Sequence, residues 1–176
     1  MAQVQWKTRL ELWIPGVPIP KGSYDAIPLG KWVGSGVGKR FVPFTRPNGV
    51  PIVNIVPNND DALKPWVDTV TARAMEAWSG RAPLDEDVCV FYAFMFPRLK
   101  GHYGTGRNAS TLKPSAPAFR NTKPDKDKLE RAINDALTDA GVWKDDSRVV
   151  DGGSRKVYGP KPGARVWIQT IKETTA

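Results

Sequence analysis

The chain has 176 residues, the length of one domain, and its 26 Lys and Arg against 18 Asp and Glu give a formal net charge of +8 at pH 7. A chain this basic is typical of proteins that bind polyanions, of which nucleic acid is the commonest. One Cys and one His exclude a disulfide framework and a Cys/His zinc site, and they disfavour paired-histidine or Ser-His-Asp catalysis. Any chemistry must therefore use carboxylates, cations or a hard metal ion.

The first half of the chain predicts a strand, a helix and a second strand. Residues 10–14 alternate between apolar and polar, which indicates a half-buried strand. Apolar residues recur at helical spacing over 63–78, and Ser79-Gly80 ends that helix. Val88–Phe96 is a continuous apolar run rich in β-forming residues, and it predicts a central strand.

The second half predicts a helix followed by two strands. Residues 129–140 carry an apolar stripe at helical spacing, which Gly141 terminates. Val149–Tyr158 and residues 164–171 read as strands joined by a Pro/Gly-rich turn. The order β-α-β-α-β-β predicts an α/β fold, a single domain over 1–176 with a mixed sheet and two main helices packed on it.

Two segments without acidic residues, 26–59 and 97–124, are rich in Gly, Pro and basic residues. We predict long loops over 23–59 and 98–122, and the Pro47-Asn48-Gly49 turn signal could join two short strands in the first of them. Basic residues interleaved with aromatic residues suit contacts with a nucleic-acid backbone and its bases, whereas the alternative is a solubilising loop. The predicted DNA contacts are Lys21, Arg98, Lys100, Arg107, Lys113, Arg120, Lys123 and Lys128.

Nothing in the sequence predicts a membrane segment or a secretion signal. The longest apolar run, Val88–Phe96, is far shorter than the roughly 18 residues that a membrane helix needs. Residues 1–13 lack the apolar core of a signal peptide. We therefore expect a cytoplasmic protein with no membrane partner.

Acidic residues concentrate in one window of this basic chain. Eight of the 18 lie between Asp125 and Asp151, a window that holds only five basic residues. Clustered carboxylates repel a phosphate backbone unless cations intervene, and metal-dependent nucleases need both features together. The alternative is that the window is only the solvated face of a helix.

The spacing inside this window suggests how carboxylates could converge. Asp127, Arg131 and Asp135 recur every four residues, so they share the helix face opposite the apolar stripe. Pro124 favours a helix start near Asp125, which frees Asp125 to approach Asp127. A return loop of this length can bring one residue of the Asp145-Asp146 pair back beside them. Three such carboxylates would suit Mg²⁺.

Three motifs in this region resemble those of the RusA-type Holliday-junction resolvases. They are KPDKDKL at 123–129, DAL at 135–137 and VWKDDSRVVD at 142–151. The family pattern is Asp-x-Asp-Asn-Leu at a helix start with a downstream Lys, then Asp-Ala-Leu, then Asp-Asp-x-x-Val at a strand start. A weaker likeness is Pro18-Ile19-Pro20-Lys21-Gly22 after the first strand. Lys128 stands where the family usually has Asn, and Arg131 stands where it usually has the catalytic Lys.

The resemblance implies a homodimer, in a bacterial or bacteriophage-infected cell, that resolves four-way DNA junctions in recombination and repair. It implies paired symmetric nicks that depend on Mg²⁺, with Mn²⁺ as the alternative ion. By motif position, Asp125, Asp127 and Asp146 would hold the metal, and Arg131 would be the catalytic cation. Asp145 would be a helper that orients a ligand rather than a principal ligand.

Two other functions fit the same sequence features. The first is a nuclease that cuts other branched or flap DNA. The second is a non-catalytic DNA-binding protein, in which the aspartates serve only as helix caps and a solvated face.

Overall fold

A computed structural model of the chain describes residues 5–22, 24–57 and 60–171. The chain forms two compact units, a main unit that ends at Lys21 and resumes at Asp61, and an inserted unit over 22–60. In chain order the elements are β1 (Trp6–Pro15), β2 (Tyr24–Pro28), β3 (Gly30–Val33), β4 (Arg40–Pro43), β5 (Val53–Pro57), α1 (Asp60–Trp78), β6 (Val88–Phe96), α2 (Lys126–Asp139), β7 (Val149–Tyr158) and β8 (Gly163–Ile171).

The main unit is built on a four-stranded mixed sheet in the order β1-β8-β6-β7. β6 runs parallel to β7 and antiparallel to β8, and β8 runs antiparallel to β1. β6 therefore has a neighbour on each side, as its continuous apolar sequence predicts. The parallel pair β6 and β7 is connected through α2, which brings the acidic window of the sequence to one edge of the sheet.

The core lies between one face of this sheet and the two helices. Alternate residues of β6, including Val90 and Phe94, face the helices and are fully buried. α2 buries its apolar stripe from Leu129 to Leu137 against them, and α1 contributes Val70. The opposite sheet face carries partly exposed side chains, among them Phe91. Because α2 is buried on one side only, its charged side is presented to solvent.

The predicted fold class is confirmed, with a mixed sheet and two main helices. α2 begins at Lys126, where Pro124 favours a helix start, and it ends at Asp139 just before Gly141. Gly141 has a φ of 70°, a left-handed conformation that glycine adopts readily at a helix end. No described helix combines the length and the apolar character that a membrane span requires.

The segment 23–59 differs from the loop that the sequence predicts, because it contains four short strands. β2 pairs with β5, and β3 pairs with β4, both antiparallel. Each strand has only four or five residues. None of the described side chains of the inserted unit is buried, so its strands lack the alternation that identifies a half-buried strand in a sequence. The Pro47-Asn48-Gly49 turn does form, and the Gly49 N–H donates to the Arg46 carbonyl at 2.8 Å.

Segment 98–122 contains two short 3-10 helices, Lys100–His102 and Gly106–Asn108, and otherwise irregular backbone. Isolated bridges join Tyr103 to Leu112 and Phe119 to Val157 of β7. A hydrogen bond from the Arg120 N–H to the Lys156 carbonyl, at 2.9 Å, continues this attachment to the sheet. The segment is therefore held against the edge strand that α2 also contacts.

Candidate active site

Asp125 occupies the N-cap position of α2. Its backbone is extended, with φ −69° and ψ 143°, and its side chain makes no capping hydrogen bond. The Lys128 ammonium lies 3.7 Å from its carboxylate, one turn into the helix, and both side chains are partly exposed. The position is favourable for a carboxylate because the first turn of a helix carries a partial positive charge. Asp125 is thus held at the start of α2 while its carboxylate remains accessible.

The solvent-facing side of α2 carries an accessible carboxylate and an accessible guanidinium one turn apart. Asp127 and Arg131 are both exposed, and neither side chain forms a hydrogen bond or ion pair with a residue that the structure describes. Asp135, one turn further, pairs instead with the Lys21 ammonium. Arg131 therefore does not bridge Asp127 and Asp135, although this side of the helix is exposed to solvent.

Lys21 fixes the segment after β1 against α2. Its backbone N–H donates to the Lys128 carbonyl at 2.9 Å, and its ammonium pairs with Asp135. These contacts place the Pro18-Ile19-Pro20-Lys21 segment beside the charged side of the helix. The sequence predicts Lys21 as a DNA contact, and the structure shows that it also pairs with one of the carboxylates of α2.

The Asp145-Asp146 pair begins a short 3-10 helix, Asp146–Arg148, immediately before β7. Asp145 caps this helix, since its carboxylate accepts a hydrogen bond from the Ser147 N–H at 2.9 Å. Hydrogen bonding from the Ser147 side chain, followed by that from its backbone, lowers the pKa of Asp145 below its usual value. Asp145 therefore shapes the turn. The Asp146 carboxylate is exposed and has no described partner.

Asp85 holds this turn from the other side, a role that no sequence motif indicates. Its carboxylate pairs with the Lys144 ammonium and, at 2.5 Å, with the Arg148 guanidinium, the two cations that flank Asp145-Asp146. The hydrogen bond from Lys144 is the main reason why the pKa of Asp85 is lowered. The backbone of Leu84 also exchanges hydrogen bonds with Val142 and Lys144. Because Asp85 is separated from Lys144 and Arg148 by about 60 residues in the sequence, no local sequence pattern predicts these contacts.

Two of the aspartates predicted to bind metal, Asp146 and Asp125, line separate depressions, and Asp127 lines neither of them. Asp146 lines one of about 310 Å³ together with Asp135, Thr138 and Asp139, beside the second half of α2. Asp125 lines another of about 340 Å³ together with Pro20, Lys123, Pro124 and Lys128, beside the start of the helix. The predicted convergence of Asp125, Asp127 and Asp146 is not seen as one cluster. Within 5–22, 24–57 and 60–171, no group of three or more His, Cys, Asp or Glu residues could hold a metal ion.

The donor chemistry of this region nevertheless fits a hard divalent cation. Asp127 and Asp146 offer exposed carboxylates without a described partner, and among the described residues Asp125 pairs with the partly exposed Lys128. Carboxylate oxygens are the ligands that Mg²⁺ takes, usually one or two together with water and substrate phosphates. Asp135 and Asp139, which the sequence does not predict as metal ligands, add two carboxylates beside Asp146.

The predicted DNA contacts between Arg98 and Lys123 divide into two groups. Arg98 donates to the Pro117 carbonyl at 3.0 Å, Lys113 to the Gly101 carbonyl at 2.9 Å, and Arg120 to the Lys123 carbonyl at 2.9 Å. These three cations hold the segment in its conformation. The side chains of Lys100, Arg107 and Lys123 are exposed and have no described partner.

Comparison with known proteins identifies a family. The family model of the endodeoxyribonuclease RusA matches residues 48–169, more than half of the chain, including α2 and the Asp145-Asp146 turn. It does not extend over residues 22–47, which form most of the inserted unit. No curated protein matches the chain.

Proposed function

Because the chain belongs to the RusA endodeoxyribonuclease family, we propose that it resolves four-way DNA junctions by paired symmetric nicks that depend on Mg²⁺. The family match shows the enzyme class, an endodeoxyribonuclease, which is a hydrolase that acts on DNA. The proposal adds the metal, the paired nicks and a role in recombination and repair. The main observation in its support is that Asp127 and Arg131 are both exposed on one side of α2, next to the turn that contains Asp146.

Asp125, Asp127 and Asp146 are the proposed metal-binding residues, with Mn²⁺ as an alternative to Mg²⁺. When bound, the ion supplies Lewis-acid chemistry, which activates water and neutralises charge on the leaving oxygen. Exposed carboxylates on a basic protein support this assignment, since without a cation they would repel the phosphate that the rest of the surface attracts. Asp145 supports Asp146 by capping the turn, and Asp85 supports it by binding the cations on either side.

Arg131 is the proposed catalytic cation. Its guanidinium is free of protein partners in the described part of the chain, so no ion pair has to break before it contacts a phosphate. A planar guanidinium can donate two parallel hydrogen bonds to phosphate oxygens, whereas the Lys of relatives acts as a point charge. Stabilising the charge that develops on those oxygens in the transition state is the role this placement suits.

A four-way junction has two-fold symmetry, which favours a homodimer with one active site in each subunit. Paired nicks at symmetric positions then follow from two identical sites acting on two opposed strands. The exposed cations Lys100, Arg107 and Lys123 are the proposed contacts with the junction arms, because nothing in the described structure occupies them.

Cleavage assays on three DNA substrates test this proposal. A mobile four-way junction, a flap and a linear duplex of equal length are incubated with the protein in Mg²⁺ and in EDTA. We expect symmetric paired nicks in the junction only, and only with Mg²⁺. Preferential cutting of the flap would assign the protein to other branched DNA. Junction binding without any cleavage would indicate a DNA-binding protein without catalysis.

Asp127→Asn tests the active-site assignment in the same assay. We expect it to abolish nicking and to leave junction binding equal or tighter, because it removes a metal ligand and a repulsive charge together. Asp68→Asn, the same change on the exposed side of α1, is the control and should cut normally. Undiminished nicking by Asp127→Asn, or abolished binding at unchanged thermal stability, would contradict the assignment.

A further inference from the structure

The inserted unit exposes apolar side chains that a stable surface would normally cover. Its described residues include no buried side chain, and the exposed ones include Trp32, Phe41 and Phe44. Two-stranded hairpins are marginally stable by themselves in water. Large exposed apolar side chains concentrated in one small unit commonly mark an interaction site.

The β3–β4 hairpin arranges two aromatic rings side by side. Trp32 and Phe41 are direct cross-strand partners, with ring centroids 5.5 Å apart and ring planes at 65°. Gly30 makes room for this arrangement, because a Cβ atom there would stand 2.6 Å from the Phe41 ring. Trp32 nevertheless remains 62% exposed. The hairpin therefore presents an ordered aromatic surface that is open to solvent.

The β3–β4 hairpin that carries these rings contains basic residues and no acidic residue. The Lys39 ammonium lies 5.4 Å from the centroid of the Trp32 ring, and Arg40 follows it in β4. Lys31 precedes Trp32 in β3, so its side chain and that of Arg40 lie on the opposite face of the hairpin, and Arg46 stands in the turn beyond β4. The sequence has no acidic residue from 26 to 59. Aromatic faces beside cations, without carboxylates, are the pattern of surfaces that bind single-stranded nucleic acid by stacking.

We propose that the β3–β4 hairpin is a stacking platform for nucleobases left unpaired where strands exchange in branched DNA. Trp32 stacks on such a base, and Lys39, whose ammonium lies beside the Trp32 ring, contacts the adjacent phosphate. The proposal rests on the proposed function for its branched substrate, and it assigns to the inserted unit a role in recognising unpaired bases. The family match does not reach this hairpin, so the platform is an addition to the nuclease unit.

Charge disfavours the other occupants of this surface. A second copy docked on this face would bring Lys39 against the same cation of its partner, and like charges across an interface weaken association. An acidic protein would satisfy the cations, but the main unit already belongs to an endodeoxyribonuclease family, whose substrate is the polyanion DNA. Unpaired DNA matches both the charge and the aromatic surface.

Binding measurements on the full chain in EDTA, which prevents cleavage, test the platform. Three probes are compared by fluorescence anisotropy: an oligo-dT strand, a four-way junction and a linear duplex. We expect Trp32→Ala to weaken oligo-dT binding about 5- to 150-fold, the range given by the loss of one stacked base. Duplex binding should change less than about twofold, since a paired base offers no free face.

Two further variants separate stacking from folding. Trp32→Phe keeps an aromatic face and should restore oligo-dT binding to within about threefold of wild type. Val37→Ala removes an exposed apolar side chain near the end of the same hairpin and should change neither affinity. A junction carrying 2-aminopurine at the branch point adds a direct signal. Its fluorescence should be quenched on binding by wild type and by Trp32→Phe, and less by Trp32→Ala.

Several outcomes would overturn the platform. Equal reductions of duplex and oligo-dT affinity in Trp32→Ala would show a general electrostatic contact instead of stacking. Unchanged affinities would show that the hairpin does not touch DNA, and a lower molecular mass of this variant in solution would identify a contact between copies. The proposed function is tested separately. It is contradicted if the wild-type protein leaves junctions uncut in Mg²⁺, and this result is independent of the platform because the oligo-dT measurement needs neither metal nor cleavage.

Discussion

Two segments of this chain have nearly the same composition, but their basic side chains make different contacts. Residues 26–59 and 97–124 are both free of acidic residues, rich in Gly and Pro, and supplied with several cations and aromatic residues. In the second segment, half of the cations donate to carbonyl groups of the same segment. In the first, no described cation makes a hydrogen bond or ion pair through its side chain, and Lys39 contacts only an aromatic ring.

The difference shows that the presence of a basic residue in such a segment does not by itself indicate a DNA contact. The criterion is whether its side chain already has a partner within the protein. Arg120 donates to the Lys123 carbonyl, and its guanidinium lies 4.3 Å from the centroid of the buried Phe96 ring. Such a cation would have to give up its present partners before it could reach DNA. Arg107 and Arg40 would give up none within the described structure. The same criterion separates Lys21, which is paired with Asp135, from Arg131, which is exposed beside Asp127.

The largest effect that this criterion predicts is at Arg131. We expect Arg131→Ala to lower the single-turnover nicking rate about 10²- to 10³-fold, the usual cost of removing one donor to a transition-state oxygen. Thermal stability should stay unchanged, because the side chain has no described protein partner. Arg131→Lys should keep substantial activity, since the cation remains. Arg73→Ala, on the exposed side of α1, serves as the control. Cutting by Arg131→Ala within a factor of about three of wild type would contradict a catalytic role.

The second prediction concerns the salt dependence of binding. Replacement of Lys31, Lys39, Arg40 and Arg46 by Gln should reduce the slope of log K against log salt by about 0.9 for each duplex phosphate that is no longer neutralised, and thus by up to about 3.6. The same replacement of Arg98, Lys113 and Arg120 should reduce the slope less, because these cations already bind carbonyl groups. Junction affinities at several salt concentrations measure both slopes. If each replaced cation reduced the salt slope by the same amount in both segments, the two segments would not differ in how their cations contact DNA.

The sequence predicted the parts of the structure that local chemistry decides. The α2 stripe follows from helical spacing, its start from Pro124 and its end from Gly141. The same holds for β6, whose apolar run is long enough to identify a central strand. Residues 125–146 carry a motif of fixed spacing, and the family match over that region confirms the resemblance.

Long-range contacts and uncovered strands could not be predicted in this way. The Asp85 contacts with Lys144 and Arg148 depend on how separate parts of the chain come together. The grouping of Asp146 with Asp139 in one depression depends on the path of the turn before β7. β2 to β5 have no buried face, so their sequences carry neither strand alternation nor a core run.

The third prediction compares two arginines of segment 97–124 by stability. Arg120→Ala should lower the free energy of unfolding by about 1–2 kcal/mol, because it removes a charged hydrogen bond and a cation–π contact. Arg107→Ala should change it by less than about 0.5 kcal/mol, as is usual for an exposed side chain without partners. Urea unfolding measures both. If the two variants proved equally stable, Arg120 would not be holding the segment.

The smallest predicted effect is the pH dependence that Asp85 contributes. Its pKa is lowered in the folded protein, chiefly by the hydrogen bond from Lys144 and further by the charges of Lys144 and Arg148. A lowered pKa means that the contribution to stability is fully present above the unfolded-state pKa and disappears as the pH falls through the folded-state value. Thermal unfolding of wild type and Asp85→Asn between pH 7 and pH 2.5 tests this. We expect a lower Tm for Asp85→Asn near neutral pH and a difference that narrows as the pH falls below the usual range of an aspartate.

The same variant shows whether these contacts matter for the turn or only for stability. Asp85→Asn leaves Lys144 and Arg148 without their anionic partner, so the Asp146–Arg148 turn should be less well fixed. We expect its nicking rate to fall while its junction affinity stays equal or rises, since a negative charge near the phosphates is removed. Glu86→Gln is the matched control, because it removes the neighbouring carboxylate, which pairs only weakly with Arg9 at 3.8 Å and does not contact the turn. A Tm difference that persists unchanged at the lowest pH would mean that the carboxylate charge of Asp85 is not what stabilises the fold. Equal nicking rates for Asp85→Asn and Glu86→Gln would mean that the turn keeps its position without Asp85.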